Sequence, residues 1–423
     1  MVQRWRTLIV GLAMVLLIGA CGGDDDDATT TTGGDGDAGA TTTEAGSTTA
    51  ADGGTTVAAD GDPIRVGAIF DLTGATADVG TPFADGVKAY VDWVNSEGGI
   101  EGRPIELLNQ DYQYDVAQAE QLYSQFLSEG VVAFSGWGTG DSEALRARVN
   151  EDEVPFVSAS YAETLANPAE TPYNFVVAVT YSQQMRIALR HIADESGGEH
   201  VEVAVFHNDS PFGEAPLADG EAYIADNGLD IGYETYAMPA GATDFVGELS
   251  QAEGQGAEYI IVQNVSSPAA TLARDIQAQG LVATVFCLNW CGDELFVELA
   301  GDAAEGALGV LPFAPPSQAD GDISAVESYL ESAGQSLDDI NLHFTQGWYQ
   351  FSVLAEGIRA VVAAGGEVTG PSVKEALEAA GPIDTPVTEP IDFSAESHAG
   401  MQAARVYQVQ DGAWASVTDA INP

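Results

Sequence analysis

The sequence predicts an α/β protein that folds as two doubly wound lobes, each a parallel sheet covered by helices on both faces. Short apolar runs alternate with helical patterns, and these runs fall into two successive sets along the chain. Strands buried on both faces are typical of parallel sheets and read as such continuous apolar runs. Two sets therefore indicate two sheets, and ligands of such folds lie beyond the carboxyl ends of the strands.

The first set begins with IRVGAIF (64–70), whose unbroken apolar character indicates a buried strand. Three more strands are predicted at 104–110, 131–136 and 154–160. The helical apolar period places helices between these strands at 81–95, 116–128 and 142–149.

The second set has the same alternation. Strands are predicted at 201–207, 231–237, 258–263, 284–289 and 306–313. Helices are predicted before and between them, at 182–195, 213–227, 243–253, 268–279 and 293–300.

The last part of the chain is more helical. Residues 325–334 and 344–366 have the helical apolar period. A further helix starts at Pro371 and stops at Gly381, which are the residues favoured at those positions. The two final apolar runs flank Asp411-Gly412, a strong signal for a hairpin turn.

The N-terminus has the features of an export signal. Arg4 and Arg6 precede an apolar segment, Thr7 to Ala20, that is shorter than the roughly 20 residues a membrane span needs. Residues 1–20 are therefore predicted to be a signal peptide. The break before Cys21 resembles a bacterial lipoprotein signal, in which acylation of this cysteine anchors the protein to a membrane surface. An ordinary signal peptide with an incidental cysteine is the alternative.

Composition separates a tether from the folded part and limits the partners. Residues 21–62 are mainly Asp, Thr, Gly and Ala without an apolar period, which predicts a flexible tether. The chain holds 13 Lys and Arg against 65 Asp and Glu, a formal net charge of −52. Such a charge disfavours nucleic acid and anionic lipid as partners.

Two cysteines remain in the folded part, Cys287 and Cys291. Outside the cytoplasm a disulfide between them is allowed, and their spacing permits it if the segment turns. A free pair is the alternative. We expect no metal, since no histidine lies in that segment, and no cofactor. The chain has no G-x-S-x-G motif, so an enzyme, such as a secreted hydrolase, is only a remote alternative.

The loop FSGWGTGDSEAL (134–145) leads from a strand through a glycine turn into a helix. A helix N-terminus with outward backbone N–H groups favours an anion. The turn lacks the Lys-Ser/Thr ending of a phosphate loop, so a nucleotide is disfavoured. For Thr139 the alternative to ligand contact is helix capping, and capping is the expected role of Asp141.

Further ligand contacts are predicted at the other strand ends and in the segment between the two sets of strands. Clustered aromatic side chains would supply an apolar, partly stacking pocket, although each also suits ordinary packing. These aromatic residues are Trp137, Tyr161, Tyr181, Phe212 and Trp290. Thr73 and Asn264 are predicted to add polar contacts.

The opening of the folded part, through VNSEGGIEGRPIEL (94–107), resembles the branched-chain amino-acid type of periplasmic binding protein. The segments VPFVSAS, NDSPFGE, GAEYIIVQ and PIDFSAESHAG follow in register, so the resemblance covers essentially residues 63–423. Members of this family are substrate-binding subunits of ABC importers with the type I fold.

This resemblance implies three hinge crossings between the lobes, near 178–180, 312–316 and 385–390. Lobe 1 would then be residues 63–179 plus 314–388, and lobe 2 residues 180–313 plus 389–423. His398 matches a family motif near the last crossing, and a structural role is expected for it.

The resemblance also implies a site. The turn Gly138–Thr139–Gly140 would receive a carboxylate or other polar head of the ligand, with help from Ser160. Amino-acid-binding members place an acidic side chain of lobe 2 against the ligand's ammonium, whereas Asn289 stands at that position here. Aromatic acids, amides or urea-like ligands therefore join amino acids as expectations. If Asp293 turned into the cleft, amino acids would again be favoured.

The function implied is that of an exported, lipid-anchored solute-binding protein at the outer face of the membrane. It would close around a small molecule by hinge motion and deliver it to an ABC permease, as a monomer. A sensor that signals through a separate receptor is the alternative.

Overall fold

The structure is a computed structural model, and it describes residues 61–423. The predicted signal peptide, Cys21 and the tether up to residue 60 lie outside the described residues. Within the described part, the strands form two separate sheets, as the alternation of apolar runs predicts.

The first sheet has five parallel strands in the order β2-β1-β3-β4-β5. The strands are β1 (Ile64–Phe70), β2 (Ile105–Asp111), β3 (Ala133–Gly136), β4 (Phe156–Ser158) and β5 (Asn174–Val176). Their side chains are buried along most of β1, β3, β4 and β5, because helices cover both faces of the sheet.

The second sheet has seven strands in the order β12-β11-β10-β9-β8-β6-β7. They are β6 (Val201–Asn208), β7 (Ile231–Met238), β8 (Tyr259–Gln263), β9 (Thr284–Cys287), β10 (Leu308–Leu311), β11 (Arg405–Gln410) and β12 (Ala413–Ser416). Strands β6 to β10 are parallel, whereas β11 and β12 add an antiparallel hairpin at one edge. Its turn is Asp411-Gly412, both at positive φ, as the sequence predicts.

The helices that cover the sheets follow the predicted alternation. They are α1 (Ala77–Ser96), α2 (Val116–Ser128), α3 (Thr139–Asp152), α4 (Tyr181–Glu195), α5 (Pro211–Glu214), α6 (Leu217–Asn227), α7 (Val246–Gln255), α8 (Ser266–Gln279), α9 (Glu294–Ala300), α10 (Ser324–Ser332), α11 (Leu342–Ala363) and α12 (Gly370–Ala379). None of these helices is long and apolar enough to cross a membrane.

Helix α11 returns to the first sheet and packs closely on α1. A Cβ atom at Gly86 would clash with the backbone of Phe344, and one at Gly347 would clash with that of Phe83. Glycine at both positions therefore allows the two helices to approach backbone to backbone. This contact attaches the segment after the second sheet to the first lobe.

The chain passes between the sheets in three places. It leaves the first sheet after β5, returns after β10 through a bridge between Phe313 and Thr388, and leaves again near Ala399, which bridges to Val176. His398 lies at this last passage. Its Nδ1 is 2.7 Å from the carbonyl of Asn174 and its ring stacks on Phe175 at 4.0 Å, which gives it the expected structural role.

Among the differences between the prediction and the structure are a divided helix, an earlier helix start and an additional strand. The single helix expected at 213–227 is divided into α5 and α6, because Pro216 has no N–H for a helical hydrogen bond. Helix α1 begins four residues earlier than its predicted start at 81, after a loop in which Thr76 N–H donates to Asp71 at 2.8 Å. Strand β5 is an addition, since three residues give no detectable period.

Candidate ligand-binding site between the two sheets

The loops at the carboxyl ends of both sheets meet around one small cavity of about 20 Å³. Its lining comes from both lobes: Thr76, Val79, Tyr114, Trp137, Gly138, Thr139, Ala159, Tyr181, Phe212, Val265 and Trp290. The structure thus brings together six of the residues that the sequence singles out, namely Trp137, Gly138, Thr139, Tyr181, Phe212 and Trp290. A volume of this size admits little more than a water molecule, so the cleft is closed.

Trp290 lines the cavity from the second lobe. It lies on a short 3-10 turn after β9, and its indole enters the first lobe. There it stacks on Tyr161 at 5.8 Å and on His343 at 5.0 Å, and meets Trp137 edge-on at 4.9 Å between ring centroids. Its Nε1–H donates to the Tyr181 hydroxyl at 2.9 Å. Trp290 is therefore the principal aromatic contact between the lobes.

Trp137 is fixed on the opposite wall. It follows β3 directly, and its ring contacts Phe83 of α1 at 5.1 Å. Its Nε1–H donates to Thr76 Oγ1 at 2.9 Å, and that hydroxyl in turn donates to Asp71 at 2.8 Å. These contacts satisfy the polar atom of a buried indole, so the ring presents an apolar surface to the cavity.

The glycine turn leads into α3 as the sequence predicts. Gly138 is the N-cap residue and Thr139 is the first helical residue. The Thr139 hydroxyl lies 2.7 Å from that of Ser160, so the predicted assisting residue touches the turn without lining the cavity. Gly140 faces Val116 and Pro211 at the edge of the site.

Other predicted contacts lie elsewhere. Thr73 is exposed and donates to Asp111 at 2.6 Å, so Thr76, three residues later, provides the threonine of the cavity. Tyr161 lies behind Trp290, and its hydroxyl is held by Gln346 at 2.6 Å and Gln350 at 2.8 Å. Asn264 lines a separate cavity of about 260 Å³ and accepts a hydrogen bond from Asn208 at 3.0 Å.

Asn289 does not line the cavity either. Its backbone N–H donates to Gln184 at 3.0 Å, and its side chain is 1% exposed. Neither polar atom of its amide finds a protein partner within residues 61–423. The neighbouring Cys287 and Cys291 form a disulfide, with their Cα atoms 5.4 Å apart, which constrains the Trp290 turn.

Asp293, the other acidic possibility, also points away from the cavity. It is the N-cap of α9, where its side chain accepts hydrogen bonds from Phe296 N–H at 2.9 Å and Ser266 at 2.7 Å. Its second oxygen faces Asn341 at 3.2 Å and His343 at 3.5 Å, both on the first lobe. It therefore contributes to the contact between lobes.

Burial at this contact shifts three pKa values. It raises the pKa of Asp293 to about 7 and lowers that of His343 to about 4, because water is excluded from both side chains. Burial also raises the pKa of Glu294 to about 7, although Leu342 N–H donates to its carboxylate at 2.8 Å. On the other side of the cleft, Asp78 accepts a hydrogen bond from Ser267 N–H at 2.8 Å.

Sequence reasoning missed Thr76, Val79, Tyr114, Ala159 and Val265. Thr76, Ala159 and Val265 lie one to three residues from a predicted site residue, so their loops were found but their orientation was not. Val79 lies in the first turn of α1, where no site residue was predicted. Tyr114 follows β2, and its positive φ of 57° turns it toward the cavity. Its position beyond a strand end is the one signal that would have found it.

Comparisons with known proteins agree on one family. The model of the family described as periplasmic binding protein matches residues 63–413. A leucine-, isoleucine-, valine-, threonine- and alanine-binding protein of Pseudomonas aeruginosa is 23% identical over 320 residues, covering 75% of this chain and 83% of that protein.

Two solved structures have the same fold. A branched-chain amino-acid ABC transporter protein from Thermus thermophilus, with bound valine, has a TM-score of 0.81 at 24% identity and covers 86% of this chain and 97% of that one. An ABC transporter substrate-binding protein from Aeropyrum pernix has a TM-score of 0.77 at 27% identity, with the same coverage.

Proposed function

Because the chain belongs to the periplasmic binding protein family, type I, of the branched-chain amino-acid type, we propose that it is the solute-binding subunit of an ABC importer. It would bind a small molecule in the cleft between the lobes and deliver it to a membrane permease. No chemistry on the solute is required of it.

The observation that supports this function is the cavity lined from both lobes. A solute that contacts Trp137 and Thr139 of the first lobe and Phe212 and Trp290 of the second stabilises the closed arrangement over an open one. The permease would recognise the surface that closure creates. Amino acids, aromatic acids, amides and urea-like compounds are the solutes to test.

Hydrogen bonds between the lobes support hinge closure. Asp78 receives the N–H of Ser267 at the start of α8, and Glu294 receives that of Leu342 at the start of α11. Each pairs a carboxylate with the positive end of a helix on the other lobe. Both contacts join the two lobes, so they form when the lobes close and break when the lobes separate.

We further propose the lobe boundaries 63–179 plus 314–399 and 180–313 plus 400–423, with hinge crossings near 178–180, 312–316 and 400. The sequence placed the third crossing at 385–390, but Ala399 still bridges to Val176 of the first sheet. The packing of α11 on α1 supports the assignment of 314–399 to the first lobe. A monomer anchored through acylated Cys21 at the outer face of the membrane is proposed from the sequence.

A thermal-shift screen of these four solute classes tests the function. A solute at 100 times its dissociation constant adds about 2.7 kcal/mol to the free energy of unfolding. A solute that binds in this screen should bind Phe212→Ala at least about tenfold more weakly than the wild type, because the substitution removes one aromatic wall of the cavity. Phe206→Ala, which removes a buried ring of the second lobe outside the lining, is the matched control. A screen without any hit would contradict the proposed function.

A further inference from the structure

We propose that the solute carries an alkylated ammonium head with no carboxylate beside it, which the aromatic rings of the cavity enclose while Asp141 supplies the counter-charge. This inference rests on the proposed function and names the class of its solute.

The lining of the cavity suits a cation. Five of its residues are aromatic, namely Tyr114, Trp137, Tyr181, Phe212 and Trp290. The faces of aromatic rings carry partial negative charge, and rings arranged around a point are a known recognition mode for alkylated ammonium groups. No Lys, Arg or His is among the lining residues, so an anionic head would find no cationic side chain there.

A carboxylate lies directly behind this lining. Asp141, in the first turn of α3, is 1% exposed, and its Oδ1 accepts a hydrogen bond from the Tyr112 hydroxyl at 2.8 Å. A Cβ atom on Gly138 would clash with this carboxylate and with the ring of Tyr114. The Asp141 carboxylate therefore lies, through Oδ1, against Gly138, which lines the cavity, although Asp141 itself is not a lining residue.

The second oxygen of Asp141 is left without a partner. Within the described part of the chain no hydrogen-bond donor reaches Asp141 Oδ2, although the atom is buried. A buried carboxylate oxygen without a donor is costly unless a proton or a cation approaches it. The carboxylate also offsets the positive end of α3, which makes this turn unsuited to an anionic head.

The ionisation of Asp141 should make the affinity for a cation depend on pH. Burial raises the pKa of Asp141 to about 7, although hydrogen bonds from the Tyr112 hydroxyl and from the backbone N–H groups of Asp141 and Gly138 act to lower it. The groups that face it are the hydroxyls of Tyr112, Tyr114 and Tyr181, whose pKa values burial raises further, and the Asp71 carboxylate. A cation nearby favours the ionised carboxylate, so binding releases a proton below pH 7. Affinity should rise between pH 6 and pH 8.

Room for the head group comes from separation of the lobes. The closed cavity of about 20 Å³ is too small for it, but Trp290 and Phe212 lie on one lobe and Trp137 and Tyr114 on the other. Parting of the lobes separates these pairs, so a cleft that closes less completely than the ligand-free one has room for the head between the rings. The net charge of −52 favours the approach of a cation.

Calorimetric titration with choline and with its neutral isostere 3,3-dimethylbutan-1-ol tests the charge at nearly constant shape. Choline should bind at least about tenfold more tightly than the isostere, and more tightly at pH 8 than at pH 6. Asp141→Asn should remove most of this preference and its pH dependence. Asp152→Asn, at the exposed end of the same helix, should leave both unchanged.

Equal affinity for choline and its isostere in the wild-type protein would overturn the proposal, and this comparison needs no variant to fold. Tighter binding of benzoate or of valine than of choline would overturn it too. Either result leaves the importer function standing, because a solute still binds. If no cation binds and the whole solute screen is also silent, the proposed function fails as well.

Discussion

Replacing Trp290 with alanine should open the ligand-free protein. A buried tryptophan removes about 150–250 Å² from water, which at about 25 cal/mol per Å² is worth about 4–6 kcal/mol. The rings that contact Trp290 at 4.9–5.8 Å, Trp137, Tyr161 and His343, all belong to the first lobe. Most of this energy therefore favours closure, and only a smaller part stabilises the second lobe itself.

Since every 1.4 kcal/mol is a factor of ten, a loss of about 3 kcal/mol lowers the ratio of closed to open molecules by about 100-fold. Small-angle X-ray scattering measures this shift as a larger radius of gyration without solute. Trp414→Ala is the matched control, because Trp414 is equally buried but packs within the second lobe, where its indole donates to the Asp293 carbonyl at 2.9 Å. It should lower the melting temperature and leave the scattering profile unchanged.

Two results would refute this reasoning. Identical profiles for the wild-type protein and Trp290→Ala would show that the indole does not hold the lobes together. An extended ligand-free wild-type protein would show that the closed arrangement needs a solute. In the second case the aromatic contact between Trp290 and Trp137 would have to form after binding.

Three further predictions concern the surroundings of this contact. Gly138→Ala should weaken binding of any solute found in the screen at least about tenfold, because the added Cβ clashes with Asp141 and Tyr114. Gly247→Ala, in α7, places its Cβ in open space and should stabilise the fold by about 0.5–1 kcal/mol in a denaturant titration. Glu294→Gln should gain stability relative to the wild type as pH rises from 5 to 8. The folded wild-type protein keeps a proton on this carboxylate, whose pKa is raised to about 7, after the unfolded chain has lost it, so wild-type stability falls as pH rises. The exposed Glu298→Gln should show no such trend in urea melts. Reduction of the Cys287–Cys291 disulfide should cost about 2 kcal/mol for so short a loop and alter Trp290 fluorescence, and thiol reagents should modify neither of these two cysteines before reduction.

The sequence predicted the fold well because its signals are local and repeated. IRVGAIF gives β1 at its true bounds, since an unbroken apolar run can hardly be anything but a doubly covered strand. Helix α2 also has its predicted bounds, because Asp115 caps it by accepting the Gln118 N–H at 2.9 Å and Gly130 follows its end. Pro216 carried the signal for the break between α5 and α6, but the apolar period on both sides concealed it.

The sequence predicted which loops form the site, but it did not predict which side chains of each loop face the cavity. Thr73 and Thr76 stand in one loop, yet only Thr76 faces the cavity, because Asp71 binds its N–H and its hydroxyl and folds the loop back. Asn289 and Trp290 are adjacent on one tight turn, so their side chains diverge. Such directions depend on hydrogen bonds between residues distant in the sequence, for which the local pattern has no signal.

Closure without a solute changes what a solute must achieve. The indole of Trp290 already gives the closed lobes their aromatic contact, so a solute contributes only the difference between its own contacts and those it displaces. Glu294 limits this closure above pH 7. Its carboxylate accepts the Leu342 N–H, but it is then ionised in a contact whose burial favours the neutral form. A weakly bound solute therefore adds little to the stability of the closed form. A solute that matches the aromatic walls and neutralises a buried charge raises the ratio of closed to open molecules. Selection of the solute thus depends on competition with Trp290 as well as on the fit of the cavity.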